Sequence, residues 1–220
     1  MTTSERGILN FHGIGSCSRP LEPGEELVWL KKDLFCRFLD GIGQDPFYSI
    51  TFDDGNKSDV QIALPELIER GQKAIFFLLV GRVGANGFLD KDDIRELIAK
   101  GMEVGLHGRD HVSWRLAGEN LLRREIDDAK VELEDITGRP VTSAAIPFGD
   151  YGRRAISHLR RAGFTSVYSS DGGTARFNRW FRPRRSMRRD DDPTALRTLF
   201  SSTKSSKLVR AAKITLKKLR

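Results

Sequence analysis

Two adjacent carboxylates, Asp53 and Asp54, stand where the stretch Phe47-Tyr48-Ser49-Ile50-Thr51-Phe52 runs into Gly55. An aromatic and β-branched run of this kind reads as a buried strand. Neighbouring aspartates at the end of such a strand repel each other and are costly to desolvate, so a cation or a reaction is the natural reason to keep them. Further along, Leu106-His107-Gly108-Arg109-Asp110-His111 sets two of the four histidines four residues apart, directly after another strand-like segment. On a helix, positions i and i+4 face the same way, which predicts that both rings reach one metal ion. Adding Asp54 makes two nitrogens and one oxygen, with a further position left for water, as in catalytic rather than structural zinc sites. Asp53 is then spare and suits a general base acting on that water. Side chains alternate along a strand, so the pair can serve two partners only where the backbone turns, which Gly55 permits.

The elements around these residues alternate. Strand patterns at residues 8–11, 48–52, 73–80, 102–106, 143–146 and 165–169 are interleaved with helical patterns at 30–39, 60–70, 90–100, 121–136 and Arg153–Arg161. The apolar run Ala74-Ile75-Phe76-Phe77-Leu78-Leu79-Val80 reads as a strand buried on both faces. Alternation with short connections predicts an α/β chain of parallel strands and crossover helices, whose reactive residues gather at the C-terminal ends of the strands. Both candidate groups sit at such ends. A third strand end, Ala145-Ile146-Pro147-Phe148-Gly149, by itself indicates only a stop at a proline and a turn. After Gly173 the pattern weakens. An Arg-rich stretch leads through Asp190-Asp191-Asp192-Pro193 to a short helix, then a polar linker at 201–206 and a helix at 207–220. In that last helix Leu208, Val209, Ala212, Leu216 and Leu219 share one arc, with Arg210, Lys213, Lys217 and Arg220 opposite and Ile214 off the apolar face.

Of 220 residues, 39% are apolar and 30% charged, an ordinary globular balance. No apolar run approaches the roughly 20 residues of a membrane span. The start, Met1-Thr2-Thr3-Ser4-Glu5-Arg6, lacks a secretion pattern, and Cys17 and Cys36 are too few for a disulfide framework, so a cytoplasmic setting is expected. Net charge is +7 and uneven. Residues 176–220 hold 15 Lys/Arg against three Asp (+12), and residues 1–175 hold 22 Lys/Arg against 27 Asp/Glu (−5). The basic helix predicts peripheral contact with an anionic membrane, with packing back on the domain as the alternative.

Together these residues resemble the polysaccharide deacetylases, the carbohydrate esterases with a NodB-type domain. The TFDDG of residues 51–55 matches the first family motif, His107 and His111 the second, and Pro147 and Phe148 the end of the third, while residues 73–81 resemble the family strand ATFFVxG. The resemblance covers roughly residues 7–175. It implies a distorted, incomplete (β/α) barrel over residues 1–200 followed by the basic helix or tail at 201–220. It further implies a general base at Asp53, a divalent metal (most simply Zn2+) on Asp54, His107 and His111, and substrate or oxyanion contacts at Pro147 and Phe148. The implied reaction removes N-acetyl groups from a sugar in a polysaccharide, oligosaccharide or glycolipid.

Three departures stand out. Gly108 replaces the usual hydroxyl residue. Ala145 stands where the family places an arginine that orients the base, for which Arg182, Arg184 or Arg185 could substitute from another strand. No histidine follows His158, itself expected at the surface in an Arg-rich helix, so the general acid falls to His12, as in family members that look circularly permuted. The last two departures motivate an alternative, a catalytically weakened carbohydrate-binding member. A nucleic-acid-binding role led by the basic tail ranks last, since no aromatics are interleaved along a groove. Gly81, Gly84 and Gly87 are spaced wrongly for a dinucleotide loop, and Trp114 suits either a sugar cleft or the core.

Overall fold

The structure is a computed structural model and describes residues 5–201 and 204–219. Six parallel strands follow one another in space as in sequence: β1 (Glu5–Phe11), β2 (Tyr48–Asp54), β3 (Ala74–Leu78), β4 (Glu103–Leu106), β5 (Ser143–Ala145) and β6 (Ser166–Ser169). The crossovers carry α1 (Lys32–Ile42), α2 (Leu64–Glu69), α3 (Lys91–Ala99), α4 (Glu119–Leu122), α5 (Ala129–Thr137) and α6 (Arg153–Arg161). The helix expected at 60–70 opens with a π-helical turn, Asp59–Ala63. A second one, Arg123–Asp128, joins α4 to α5. Helix α3 opens on a reciprocal cap. Asp90 caps it by accepting from Asp92 N and Asp93 N while the Asp93 carboxylate accepts from Asp90 N.

Three short strands close the sheet. β7 (Thr174–Arg176) runs antiparallel to the start of β1, β8 (Phe181–Pro183) lies parallel to β6, and β9 (Arg185–Ser186) lies parallel to the end of β1. A single segment, 181–186, therefore touches both the last and the first of the parallel strands, with Arg184 between its two pairings. The result is a nearly closed mixed sheet ringed by helices, the distorted incomplete (β/α) barrel that the resemblance implies. The Arg-rich stretch that lacks any pattern in the sequence is thus the closing seam.

Side-chain alternation builds two cores. Phe11, Phe35, Phe38 and Phe52 cluster between sheet and helices, with Phe52 stacked on Phe76 at 4.5 Å. Burying each such ring contributes on the order of 2–3 kcal/mol. The opposite faces line the barrel with Ile8, Phe77, Ala145, Tyr168 and Ala175. Asp53 is in register with Phe77 and shares this interior side. Trp114 is fully buried and belongs to the outer core, not to a cleft wall.

Beyond the barrel, Pro193–Ala195 and α7 (Leu196–Phe200) precede α8 (Lys204–Leu219). Of the polar linker expected at 201–206, residues 202–203 lie outside the described residues and 204–206 already belong to α8. The positions named for Arg210, Leu219 and Arg220 also fall outside the described side chains.

Candidate active site

A cleft of about 690 Å³ opens at the C-terminal ends of the strands, lined by His12, Asp53, Asp54, His107, His111, Phe148, Asp171, Arg185 and Arg188 among others. That size suits a small-molecule or sugar site. His12 follows β1, Asp53 and Asp54 end β2, His107 follows β4, Phe148 follows β5 and Asp171 follows β6. Parallel strands with short loops bring these distant positions to one rim.

Asp53 is saturated. It is 2% exposed, and Arg184, fully buried, grips it with two parallel bonds, Nη1 to Oδ1 at 2.7 Å and Nη2 to Oδ2 at 2.8 Å. Asn10 Nδ2 donates to Oδ2 at 2.9 Å, and the Asn10 carbonyl accepts from Arg184 Nη1 and from the Thr51 hydroxyl. Burial alone would raise the Asp53 pKa. The Arg184 charge, then His107 and the Arg184 hydrogen bonds, outweigh it and hold the carboxyl well below the usual carboxylate range. Of the three arginines offered by the sequence, Arg184 fills the place left by Ala145. Arg182 instead donates to the Tyr168 hydroxyl and Arg185 to Asp191.

Asp54 is the reverse. Its Oδ1 is buried without a hydrogen-bond partner among the described residues, 3.6 Å from His107 Nε2 and 3.6 Å from His111 Nε2. Those separations are too long for hydrogen bonds. The donor atoms of Asp54, His107 and His111 all lie within 4.8 Å of one another, an arrangement that fits a shared cation. His107 Nδ1 lies 2.9 Å from the Ala145 carbonyl, which only accepts, so Nδ1 carries the proton and Nε2 keeps its lone pair toward Asp54. Burial lowers the His107 pKa against the pull of Asp53 and Asp54, which keeps the ring neutral as a ligand must be.

The histidines lie on a loop and not on a helix, so it is not helical spacing that brings their rings together. Residues 107–113 form a loop in which Gly108 has φ +94° and His111 φ +54°. Glu125, fully buried on the π-helical turn, holds this loop by accepting from Arg109 N at 2.9 Å and Asp110 N at 3.2 Å. A Cβ at Gly108 would come within 2.8 Å of Glu125 Oε2, so the glycine makes room for the carboxylate that shapes the loop. Among the described residues, the non-glycine positions with positive φ are Asp54, His111 and Phe148, all in the cleft. Strain concentrated in this way marks a constellation that the surrounding fold over-determines.

Phe148 is 62% exposed and stacks on the His111 ring at 4.1 Å, while Pro147 is buried. His12 lines the cleft with a buried Nδ1 that has no hydrogen-bond partner among the described residues. His158, expected at the surface, is instead buried on α6 between Asp127 (2.8 Å) and Glu119 (3.3 Å), because α6 turns that face inward. Three residues escape a sequence reading. Asn10 and Glu125 carry no local motif, and Asp59 is a fully buried carboxyl whose pKa is raised well above normal by burial and then by Asp54 and Asp53.

Residues 41–167, more than half of the chain, match the family model for polysaccharide deacetylase. The chain belongs to the polysaccharide deacetylase family. YxkH of Bacillus subtilis (strain 168), named for the same family, is 25% identical over 126 residues, or 57% of this chain. The chain aligns with only 45% of that relative's length. Among solved structures, the fold is similar to Streptococcus pyogenes deacetylase PplD in complex with acetate, with TM-score 0.80, 19% identity, and 91% of this chain and 100% of that one covered. It is also similar to IcaB from Ammonifex degensii, with TM-score 0.73, 20% identity, and 90% and 98% covered. At these identities both likenesses speak for the fold alone.

Proposed function

We propose that this protein is a metal-dependent hydrolase that removes N-acetyl groups from a sugar in a polysaccharide, oligosaccharide or glycolipid. The observation that carries this reading is the opposite treatment of two adjacent aspartates, one saturated by Arg184 and one open toward two histidines. Asp54 Oδ1, His107 Nε2 and His111 Nε2 would hold the ion. The donor set suits Zn2+, which when bound would polarise the acetamide carbonyl and acidify water. Asp53, kept ionised by Arg184, takes the proton of the attacking water as the water oxygen adds to the acetamide carbon. A backbone N–H after Pro147 would donate to the oxyanion. His12 then delivers a proton to the departing nitrogen as the C–N bond breaks, leaving acetate and a free amine. The exposed Phe148 ring offers a platform for a sugar face.

The carbohydrate-binding alternative drew on the missing arginine at Ala145 and on the missing late histidine; the Arg184–Asp53 pair speaks against the first motive, and the second rests on His12. Metal analysis and acetate release on N-acetylated oligosaccharides and glycolipids test the reading. Wild type is expected to carry zinc and release acetate, Asp54→Ala to lose the metal, and His12→Ala to keep metal while turnover falls roughly 100-fold or more. Undiminished turnover in Asp54→Ala would sink the scheme.

A further inference from the structure

Helix α8 is fastened to the barrel along one side. Lys217 Nζ donates to the Gly149 carbonyl at 2.9 Å and pairs with Asp171 Oδ1 at 2.6 Å, 5.1 Å from the centre of the Tyr151 ring. Ile214 is half-buried on the same side. At about 100° per residue, Leu208, Val209, Ala212 and Leu216 fall on the other side. All four are exposed, Leu208 by 71%, Val209 by 56% and Leu216 by 50%. The helix thus docks through the face carrying Lys217 and leaves its apolar arc outward. Packing back on the domain does not cover that arc.

We propose that this face is a docking surface for an anionic lipid bilayer. The sequence of α8, residues 204–219, holds six Lys/Arg and no acid, and of these Lys217 is already paired with Asp171, so an anionic surface complements the rest. A second copy on the same face would bring two such basic segments together against their mutual repulsion. No helix among the described residues is long and apolar enough to cross a membrane, so α8 lies along the interface with its leucines immersed. The fastening sets the orientation. Gly149 closes the turn that carries Phe148, and Asp171 lines the cleft, so a bilayer-bound α8 holds the cleft rim beside the lipid surface. The docking itself does not depend on the deacetylase reading. If that reading holds, a lipid-linked N-acetylated glycan is the substrate class that this orientation serves.

Sedimentation of the full chain with vesicles tests the proposal without reference to turnover. Binding to phosphatidylglycerol/phosphatidylcholine vesicles is expected at about 0.1 M salt, weakening severalfold at about 0.5 M, with none to phosphatidylcholine alone. Leu208→Ser/Leu216→Ser should cut binding roughly tenfold. Its thermal midpoint should stay at the wild-type value, because both side chains point away from the barrel. Failure of wild type to bind anionic vesicles, or undiminished binding by the double variant, would overturn the proposal. So would a concentration-dependent dimer that the double variant abolishes, since a second copy would then cover the arc.

Discussion

Asp53 and Asp54 are neighbours on one strand and opposites in environment. Around Asp53 the donors are complete: a bidentate guanidinium and a buried amide leave the carboxylate fixed, ionised and unable to move without breaking a charge pair. Around Asp54 and the two histidines the facing atoms stand 3.6 Å apart, and Oδ1 has no hydrogen-bond partner among the described residues. The first half is held together by the protein itself and is expected to be rigid without any ligand. The second is a set of ligand atoms within 4.8 Å of one another that suits a shared cation. The kink that separates them is a single residue, Asp54, at φ +78°.

The comparison is broken most severely by Asp53→Asn, which should keep the metal while turnover falls roughly 100- to 10,000-fold; metal analysis beside single-turnover acetate release checks this. Loss of metal in that variant would show that the two halves are not separate. Next comes Arg184→Met. Removing one partner of a buried pair leaves an uncompensated charge, so denaturant unfolding should show a loss of roughly 3–5 kcal/mol, partly recovered when Asp53→Asn is added. A smaller effect is expected from Gly108→Ala, where φ +94° and the contact with Glu125 should cost roughly 1–3 kcal/mol and displace His111. Weaker zinc affinity with Asp53 and Arg184 untouched would place the loop with the second half alone.

The smallest effect serves as a control, away from the cleft. Glu66 bonds Lys32 and Arg70 near the surface, which lowers its pKa to about 2. A folded pKa below the unfolded one means stabilisation that is fully present above about pH 4.3 and lost as pH falls through about 2. Glu66→Gln should therefore cost at most about 1 kcal/mol near neutrality and nothing in strong acid. Asp53 obeys the same sign, its stabilisation present above the usual carboxylate range and disappearing in acid, but on a fully buried pair the loss should be larger. Equal acid sensitivity in Glu66→Gln and wild type would remove the surface term from the comparison.

Much was legible before any coordinates. Each parallel strand carries an apolar run or alternation, each crossover helix an amphipathic pattern, and the capping of α3 was readable from Asp90, Asp92 and Asp93. What failed to show has a physical reason in each case. Strands of two or three residues such as β7, β8 and β9 are too short for a period, so the seam of the barrel looked like an irregular tail. The i, i+4 spacing of the histidines left helix and loop open because spacing cannot report a glycine at positive φ. His158 lay in an Arg-rich helix whose buried face only the packing reveals.

By itself the sequence determined the chemistry at the strand ends: two adjacent carboxylates, two histidines and a proline-aromatic turn, together with the alternation that brings strand ends to one rim. Those features are local, and local periodicity and turn chemistry encode them directly. Which arginine steadies Asp53 was decided only by tertiary structure. Arg184 reaches it across 131 residues because the closing segment pairs with β6 on one side and β1 on the other. Long-range closure of a sheet leaves no periodic trace in the chain, so the partner of Asp53 could only be read from the fold.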